Sequence, residues 1–332
     1  MSRWATTLDA ALAILRERGV IDGSFTECVP LAGGTESEVA TLGRGAGPEL
    51  VVKLNRPGAV RAAAQFMITY RDSPLVTPLR YVDPESRFLV YAYVPGVLTR
   101  ACEVPVDKTQ TLLALTHHLL SRYVPLSQSD PLPHAVPLSG SLPLTGSVAA
   151  GDEMAGWLDE WYEPEGERPC GRTWQAFLAT EVSYRHALVR PHLPSGAGAL
   201  VDDLVAAPRR RGEGPLSLLH GDCGAHNLLF REGRLVAALD PRPALGEPIF
   251  DLAFAFVSWP DHLTLDTILP AAELLERAGR WRPAASARRC VLSEEVVIAL
   301  YSRIGTCLVH HPSDLPAYLQ SWGYWMALLR GE

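Results

Sequence analysis

Asp222, Asn227 and Asp240 are the residues of this 332-residue chain whose types and spacing could do chemistry together. The first two belong to His220-Gly221-Asp222-Cys223-Gly224-Ala225-His226-Asn227, and Asp240 follows Asn227 by thirteen residues. Between them, Leu228-Leu229-Phe230 and Leu235-Val236-Ala237-Ala238-Leu239 are apolar runs separated by Arg231-Glu232-Gly233-Arg234. That pattern predicts a β-hairpin with a tight turn centred on Glu232 to Arg234. Folding about this centre places Asn227 directly opposite Asp240, because residues paired across an antiparallel ladder sit about 5 Å apart. An amide oxygen and a carboxylate on rigid strands are hard ligands of the kind that hold Mg²⁺ together with substrate phosphates. Asp222, on the loop entering the hairpin, can then reach a substrate hydroxyl. Phosphoryl transfer is the chemistry such a set suits.

That chemistry also needs a group to hold phosphate, and lysine usage points to one. The chain has 30 Lys+Arg, yet only Lys53 and Lys108 are lysines. Lys53 lies in Glu49-Leu50-Val51-Val52-Lys53-Leu54, a strand-like run where an unpartnered ammonium is costly to bury. Meeting a phosphate is one reason to place a compact cation there; snorkelling from an edge strand is the other. The elements around it read as follows. Thr7 to Arg18 carries Leu8, Leu12 and Leu15 on one face and stops at Gly19, an amphipathic helix with a glycine end. Strands follow at Val29-Pro30-Leu31, Glu38 to Leu42 and the Lys53 run, with Gly43 to Pro48 as a turn. Ala59 to Tyr70 predicts a helix, and Leu79 to Val82 and Phe88 to Val94 predict strands. Beyond Pro95-Gly96 helices dominate: Lys108 to Tyr123, Thr173 to Val189, Ala197 to Ala207, Ile249 to Trp259, Asp266 to Arg277 and Glu294 to Leu308. Pro125 to Gly151, rich in Pro, Ser, Gly and Leu, predicts a long connection over the surface or the active site.

The composition, 47% hydrophobic and 20% charged, is that of a globular chain with room for two domains or two lobes. A net charge of −7 repels phosphate backbones, which argues against nucleic acid as the main partner. The six cysteines are scattered without a CxxC pair, as expected of reduced thiols. The N-terminus lacks a signal-peptide apolar stretch and no run approaches eighteen apolar residues, so the expected location is the cytoplasm, with no membrane span.

His220-Gly221-Asp222 with Asn227 five residues on resembles the catalytic loop of protein-kinase-like enzymes. With Leu239-Asp240-Pro241-Arg242-Pro243-Ala244-Leu245-Gly246-Glu247-Pro248 and Asp251-Leu252-Ala253, it looks like the aminoglycoside phosphotransferase and choline kinase family. The resemblance implies an α+β, protein-kinase-like two-lobe fold: residues 1–95 as a small nucleotide-binding lobe with an antiparallel sheet, residues 96–332 as a mostly helical catalytic and substrate-binding lobe. It implies that Asp222 orients the acceptor hydroxyl and accepts its proton, and that Asn227 and Asp240 carry Mg²⁺. Lys53 would hold ATP phosphates under a Gly33-Gly34-Thr35 turn, and Tyr91-Ala92-Tyr93-Val94 would be the hinge meeting adenine, with GTP an open alternative to ATP. Asp251 would brace the catalytic loop. One departure stands out: the helix after Lys53 has no acid, leaving Gln65, Glu36 or Glu38 as its partner.

The implied function is Mg-ATP-dependent transfer of the γ-phosphate to a hydroxyl of a small molecule by a monomer or homodimer. An aminoglycoside or related antibiotic is the acceptor expected, because the Asp240 to Ala253 stretch looks closest to the drug-modifying branch. A kinase of an amino alcohol, amino acid or sugar is the alternative, and a catalytically silent nucleotide-binding module a further one. Other features are weaker. His220, Cys223 and His226 have metal-like spacing but lack a second ligand pair. The acidic run from Asp152 to Glu167 could line a polyamine pocket or be a solvated face. Arg209-Arg210-Arg211 reads as a solvated loop, and Trp322, Tyr324 and Trp325 as helix packing.

Overall fold

The computed structural model describes residues 6–31, 37–125, 174–207 and 216–331. Helix α1 (Leu8–Glu17), capped by the Thr7 hydroxyl, precedes five strands: β1 (Glu27–Pro30), β2 (Glu38–Gly43), β3 (Pro48–Leu54), β4 (Leu79–Val82) and β5 (Phe88–Ala92). They form one antiparallel sheet in the order β1-β2-β3-β5-β4. Alternation sorts the faces. Val52 and Leu54 of β3, with Phe88 and Val90 of β5, pack on Ala11, Leu12 and Leu15 of α1. Val51, Leu89 and Tyr91 face the other way, onto helix α2 (Pro57–Thr69). Lys53 alternates with Val52, so it shares that second face, which looks toward the rest of the chain.

Helix α2 begins at Pro57 rather than Ala59, since proline suits the first turn. Strand β5 stops at Ala92, short of the expected Val94. Beyond Pro95, β6 (Val97–Leu98) returns to pair with the hairpin, a strand not expected from sequence. Gly96 is required there: a Cβ would lie 2.8 Å from Phe230 O.

The helical part comprises α3 (Lys108–His118), α4 (Trp174–Ser183), α5 (His186–Val189), α6 (Ala197–Ala206), α7 (Pro248–Val257), α8 (Leu265–Arg277), α9 (Arg288–His310) and α10 (Leu315–Arg330). Three expected helices differ. The first covers Lys108 to His118 and tightens into a 3₁₀ turn at Leu120–Arg122. The second breaks between Ser183 and His186, and the third starts at Arg288, earlier than Glu294. Trp322 and Trp325 are buried in helix packing, and the Tyr324 hydroxyl accepts from Leu265 N at 3.1 Å. No described helix is long and apolar enough to cross a membrane. The five described cysteines are free.

Four short strands position the chemistry. Strand β7 (Ser217–Leu219) pairs antiparallel with β10 (Ala244–Gly246), and β8 (Leu228–Arg231) pairs with β9 (Arg234–Ala238). The loops 220–227 and 239–243, which enter and leave the hairpin, are thereby laid side by side.

Candidate active site

The hairpin turn is Glu232-Gly233, with φ of 53° and 73°, the two-residue turn that needs positive φ twice. Leu229 pairs with Ala237 while Phe230 pairs with Leu235, so Val236 is an extra residue, a bulge. The register this sets differs by one from the expected one. Asn227 faces Leu239, whose N–H donates to Asn227 O at 2.8 Å, and not Asp240. Asp240 is the next residue and is turned by a left-handed backbone, φ 55°, rather than by the ladder. A non-glycine residue held there carries strain that the surroundings must maintain.

What holds Asp240 is Lys53: the ammonium donates to Asp240 Oδ1 at 2.7 Å. Neither described candidate, Gln65 or Glu38, fills that place. Gln65 donates to Thr69 on its own helix, Glu38 lies opposite Leu54 in the sheet, and Glu36 lies outside the described residues. The Lys53 side chain is 12% exposed, so one ion pair serves a largely buried cation.

The loop of Asp222 is fixed from beneath. Asp251, fully buried on the first turn of α7, accepts from His220 N (2.8 Å), Gly221 N (3.0 Å) and the Tyr123 hydroxyl (2.7 Å). Burial pushes its carboxyl up to about 6 despite those three hydrogen bonds, which act the other way. His220 is also buried, which lowers its imidazole to about 4; its Nδ1 accepts from Asp222 N at 3.3 Å. Gly221 has φ 76°, and a Cβ there would strike Arg242 O, so glycine is the residue the loop can use. Arg242 N in turn donates to His220 O at 2.8 Å, tying the two loops together.

Asp222 is partly exposed. Burial alone would raise its carboxyl, but the hydrogen bond and charge of His226, with Arg242 and His220, more than offset it and hold the group below the ordinary carboxylate value. His226 Nε2 lies 3.2 Å from Asp222 Oδ1. Asn227 donates its Nδ2 to Asp222 O at 3.0 Å, which fixes the amide orientation and directs Oδ1 elsewhere.

In the expected hinge, the amides of Ala92 and Tyr93 donate to Pro78 O (2.9 Å) and Glu49 O (2.8 Å), committing them to the sheet rather than to a base. Tyr91 is buried on β5, near enough to feel the charge of Asp240. Gly33, Gly34 and Thr35 lie outside the described residues, as do the acidic run 152–167 and Arg209-Arg210-Arg211.

Sequence reasoning missed three contacts. His226, whose spacing suggests only a metal ligand, touches Asp222. Ser258, buried after α7, accepts from Ala225 N at 2.8 Å through its hydroxyl. Lys108 is buried and donates to Trp259 O (2.9 Å) and Asp261 O (2.7 Å), closing the end of α7. The scarcity of lysine was the available signal for that last one.

A hard cation fits what is present: Asn227 Oδ1 and the Asp240 carboxylate are oxygen donors on adjoining loops. Among the described residues no three His, Cys, Asp or Glu converge as a protein-only metal site. Such a cation would draw its remaining ligands from phosphate and water, as Mg²⁺ commonly does.

Residues 27–290 match the phosphotransferase enzyme family. Among solved structures, the chain is similar to the macrolide 2'-phosphotransferase MphH from Brachybacterium faecium, with a TM-score of 0.55 at 18% identity over 98% of each chain. It is similar to a thermostable mutant of aminoglycoside phosphotransferase APH(4)-Ia, solved as a ternary complex with ADP and hygromycin B (TM-score 0.51, 16% identity, 98% of each chain). A choline/ethanolamine kinase family protein from Mesorhizobium loti gives 0.50 at 16% identity, covering 97% of this chain and 94% of that one. No curated protein sequence matches.

Proposed function

The chain belongs to the phosphotransferase enzyme family, and from that premise we propose that it transfers the γ-phosphate of ATP, with Mg²⁺, to a hydroxyl of a small molecule. The acceptor we favour is an aminoglycoside or related antibiotic. We assign the nucleotide to residues 1–95 and the acceptor to residues 96–332. The observation that carries this reading is Asp222: a carboxylate held ionised, partly exposed, on a loop anchored by Asp251 and tied by backbone hydrogen bonds to the loop of Asp240, which pairs with Lys53.

In the proposed step the acceptor oxygen forms a bond to the γ-phosphorus as the bond to the β,γ-bridging oxygen breaks, and ADP leaves. Asp222 orients the hydroxyl and takes its proton. Lys53 holds phosphate oxygens, shifting from Asp240 toward them as the nucleotide enters. Asn227 and Asp240 would hold Mg²⁺, which neutralises phosphate charge when bound. Catalysis here is mainly positioning and charge neutralisation, with no covalent intermediate on the protein.

A metabolite kinase remains the second reading, supported by the likeness to the choline/ethanolamine kinase family protein. A silent nucleotide-binding module is disfavoured because Lys53, Asp222, Asn227 and Asp240 are all in place. The test is a mass-shift screen: protein, Mg²⁺, ATP or GTP, and a panel of hydroxylated antibiotics and metabolites. One compound should gain one phosphate. Asp222→Ala should lower that turnover about 10³-fold with nucleotide binding intact; near-native turnover in this variant would remove Asp222 as the base.

A further inference from the structure

We propose that Thr99 is a positioning residue for Asp222. The chain that leaves the sheet through Val94 doubles back onto the hairpin, and the Thr99 hydroxyl fixes the middle of the Asp222 loop. This inference rests on the phosphotransferase reading above and names how that same site is held.

The connection is seated by its backbone. Val97 and Leu98 of β6 pair antiparallel with Phe230 and Leu229 of β8. Gly96 lies so close to the hairpin that a Cβ would come within 2.7 Å of Leu229 Cγ. The side chains gain little from this contact, since Val97 and Leu98 are each 43% exposed. A strand of two residues with open side chains has little burial to hold it, so its polar contacts matter more. Thr99 supplies one: it is partly buried, five residues past Val94, and donates its hydroxyl to Ala225 O at 3.1 Å. The 3₁₀ turn Thr99–Ala101 closes behind it, with Cys102 N donating to Thr99 O at 3.3 Å.

Ala225 is where such a contact counts. It is buried, three residues after Asp222 and two before Asn227. Its amide is held from the other side: Ala225 N donates to Ser258 Oγ at 2.8 Å, and Ser258 O accepts from Arg303 Nη2 of α9 at 2.6 Å. Among the described residues no second donor meets Ala225 O, so losing the Thr99 hydroxyl leaves a buried carbonyl unpaired. The rest of the loop closes on itself, Asn227 N donating to Gly224 O at 2.8 Å and Asn227 Nδ2 to Asp222 O at 3.0 Å. A turn this short has few free dihedrals. A shift at Ala225 is therefore passed to Asp222 on one side and Asn227 on the other. Asp251 grips the start of the loop; Thr99 sets its middle, from the chain that links the sheet to the helices.

The experiment uses the full chain and two variants. Thr99→Val keeps the side-chain shape and loses the donor, whereas Thr99→Ser keeps the donor. Amide hydrogen exchange, read by mass spectrometry without nucleotide, should quicken at least about fivefold over residues 220–230 in Thr99→Val. Peptides from α9 should be unchanged, and Thr99→Ser should match the parent. With the compound that gains phosphate in the screen above, Thr99→Val should lower kcat about tenfold and leave the KM for ATP within about twofold. Thr99→Ser should recover the rate. Unchanged exchange in the loop, or a quickening that spreads equally to α9, would overturn the proposal. Faster loop exchange with kcat within about twofold of the parent would overturn it too, leaving Thr99 a structural contact alone. If no compound gains phosphate with the parent, the transferase reading fails, and the exchange comparison still decides whether Thr99 holds the loop.

Discussion

At the scale of single residues, the Lys53–Asp240 pair decides how the site is poised. Kinase-like sites commonly present a helix glutamate to the lysine, but α2 carries no acid, so the ammonium takes the carboxylate expected to hold the metal. The two functions are thereby coupled. Asp240→Ala should weaken Mg-ATP by more than about tenfold, because it removes the carboxylate we assign to the metal and leaves Lys53 buried without its counter-ion. Lys53→Ala should also weaken nucleotide binding. The double variant should lose less than the sum, since residues in direct contact are not additive; a coupling of about 1 kcal/mol is the expected size. Nucleotide titrations of the four proteins read this out, and strict additivity would mean that the pair is incidental. Sequence could not supply this partnership, because the two residues are 187 apart and nothing local marks them as a pair. It did mark Lys53 itself, through the rarity of lysine in a strand-like run.

At the scale of elements, helix α7 acts as a template for the loop that carries Asp222. It grips His220 and Gly221 from its first turn through Asp251, and Ala225 from just past its last turn through Ser258. Two buried groups in this arrangement titrate in opposite senses. The Asp251 carboxyl is raised from 3.8 to about 6, so ionising it costs folded-state stability as pH rises through that window. The His220 imidazole is lowered from 6.5 to about 4, so the unfolded chain binds the extra proton and stability is gained over nearly the same window. Each effect is roughly 3 kcal/mol at about 1.4 kcal/mol per pH unit, so they largely cancel. Asp251→Asn removes only the first. The variant is expected to be less stable than the parent, with the gap closing by roughly 3 kcal/mol from pH 4 to 6.5 as His220 acts unopposed. Denaturant titrations across that range check it; parallel profiles would show that the two groups are not coupled to folding as described. The hairpin shows what sequence offers at this scale. Alternation and Gly233 announced the turn, but nothing distinguished Val236 as the bulged residue. The turn at Glu232-Gly233 alone would set Asn227 opposite Ala238, and the bulge moves its partner to Leu239, one short of Asp240; neither step was visible until the ladder was seen.

At the scale of the whole molecule, the sheet and the helices share one core rather than meeting across a wet seam. Val51, Leu89 and Tyr91 of the sheet belong to the same buried cluster as Leu218, Leu252 and Phe256, whereas α1 covers a separate, smaller cluster on the sheet's other face. Helix α2 is the bridge. Phe66 packs edge-on against His220 (5.3 Å) and against Tyr70 and Tyr123 (4.8 and 6.3 Å), and the Tyr70 hydroxyl donates to Leu218 O at 2.7 Å. That the Phe66 ring of α2 reaches His220 was not legible in the sequence, because His220 lies far along the chain. Because this bridge carries packing that both parts need, unfolding is expected to be a single cooperative transition. Phe66→Ala should cost about 3–5 kcal/mol, the range for deleting a fully buried ring, and should shift that transition as a unit. Near-ultraviolet circular dichroism and tryptophan fluorescence followed through the same denaturant series give the comparison. Seven of the eight tryptophans lie between positions 157 and 325 and none in the sheet, so fluorescence follows the helical part while near-ultraviolet dichroism also carries the tyrosines of the sheet. If the two probes separated in Phe66→Ala but coincided in the parent, the sheet would fold without the helical part, and α2 would be a hinge instead of a tether.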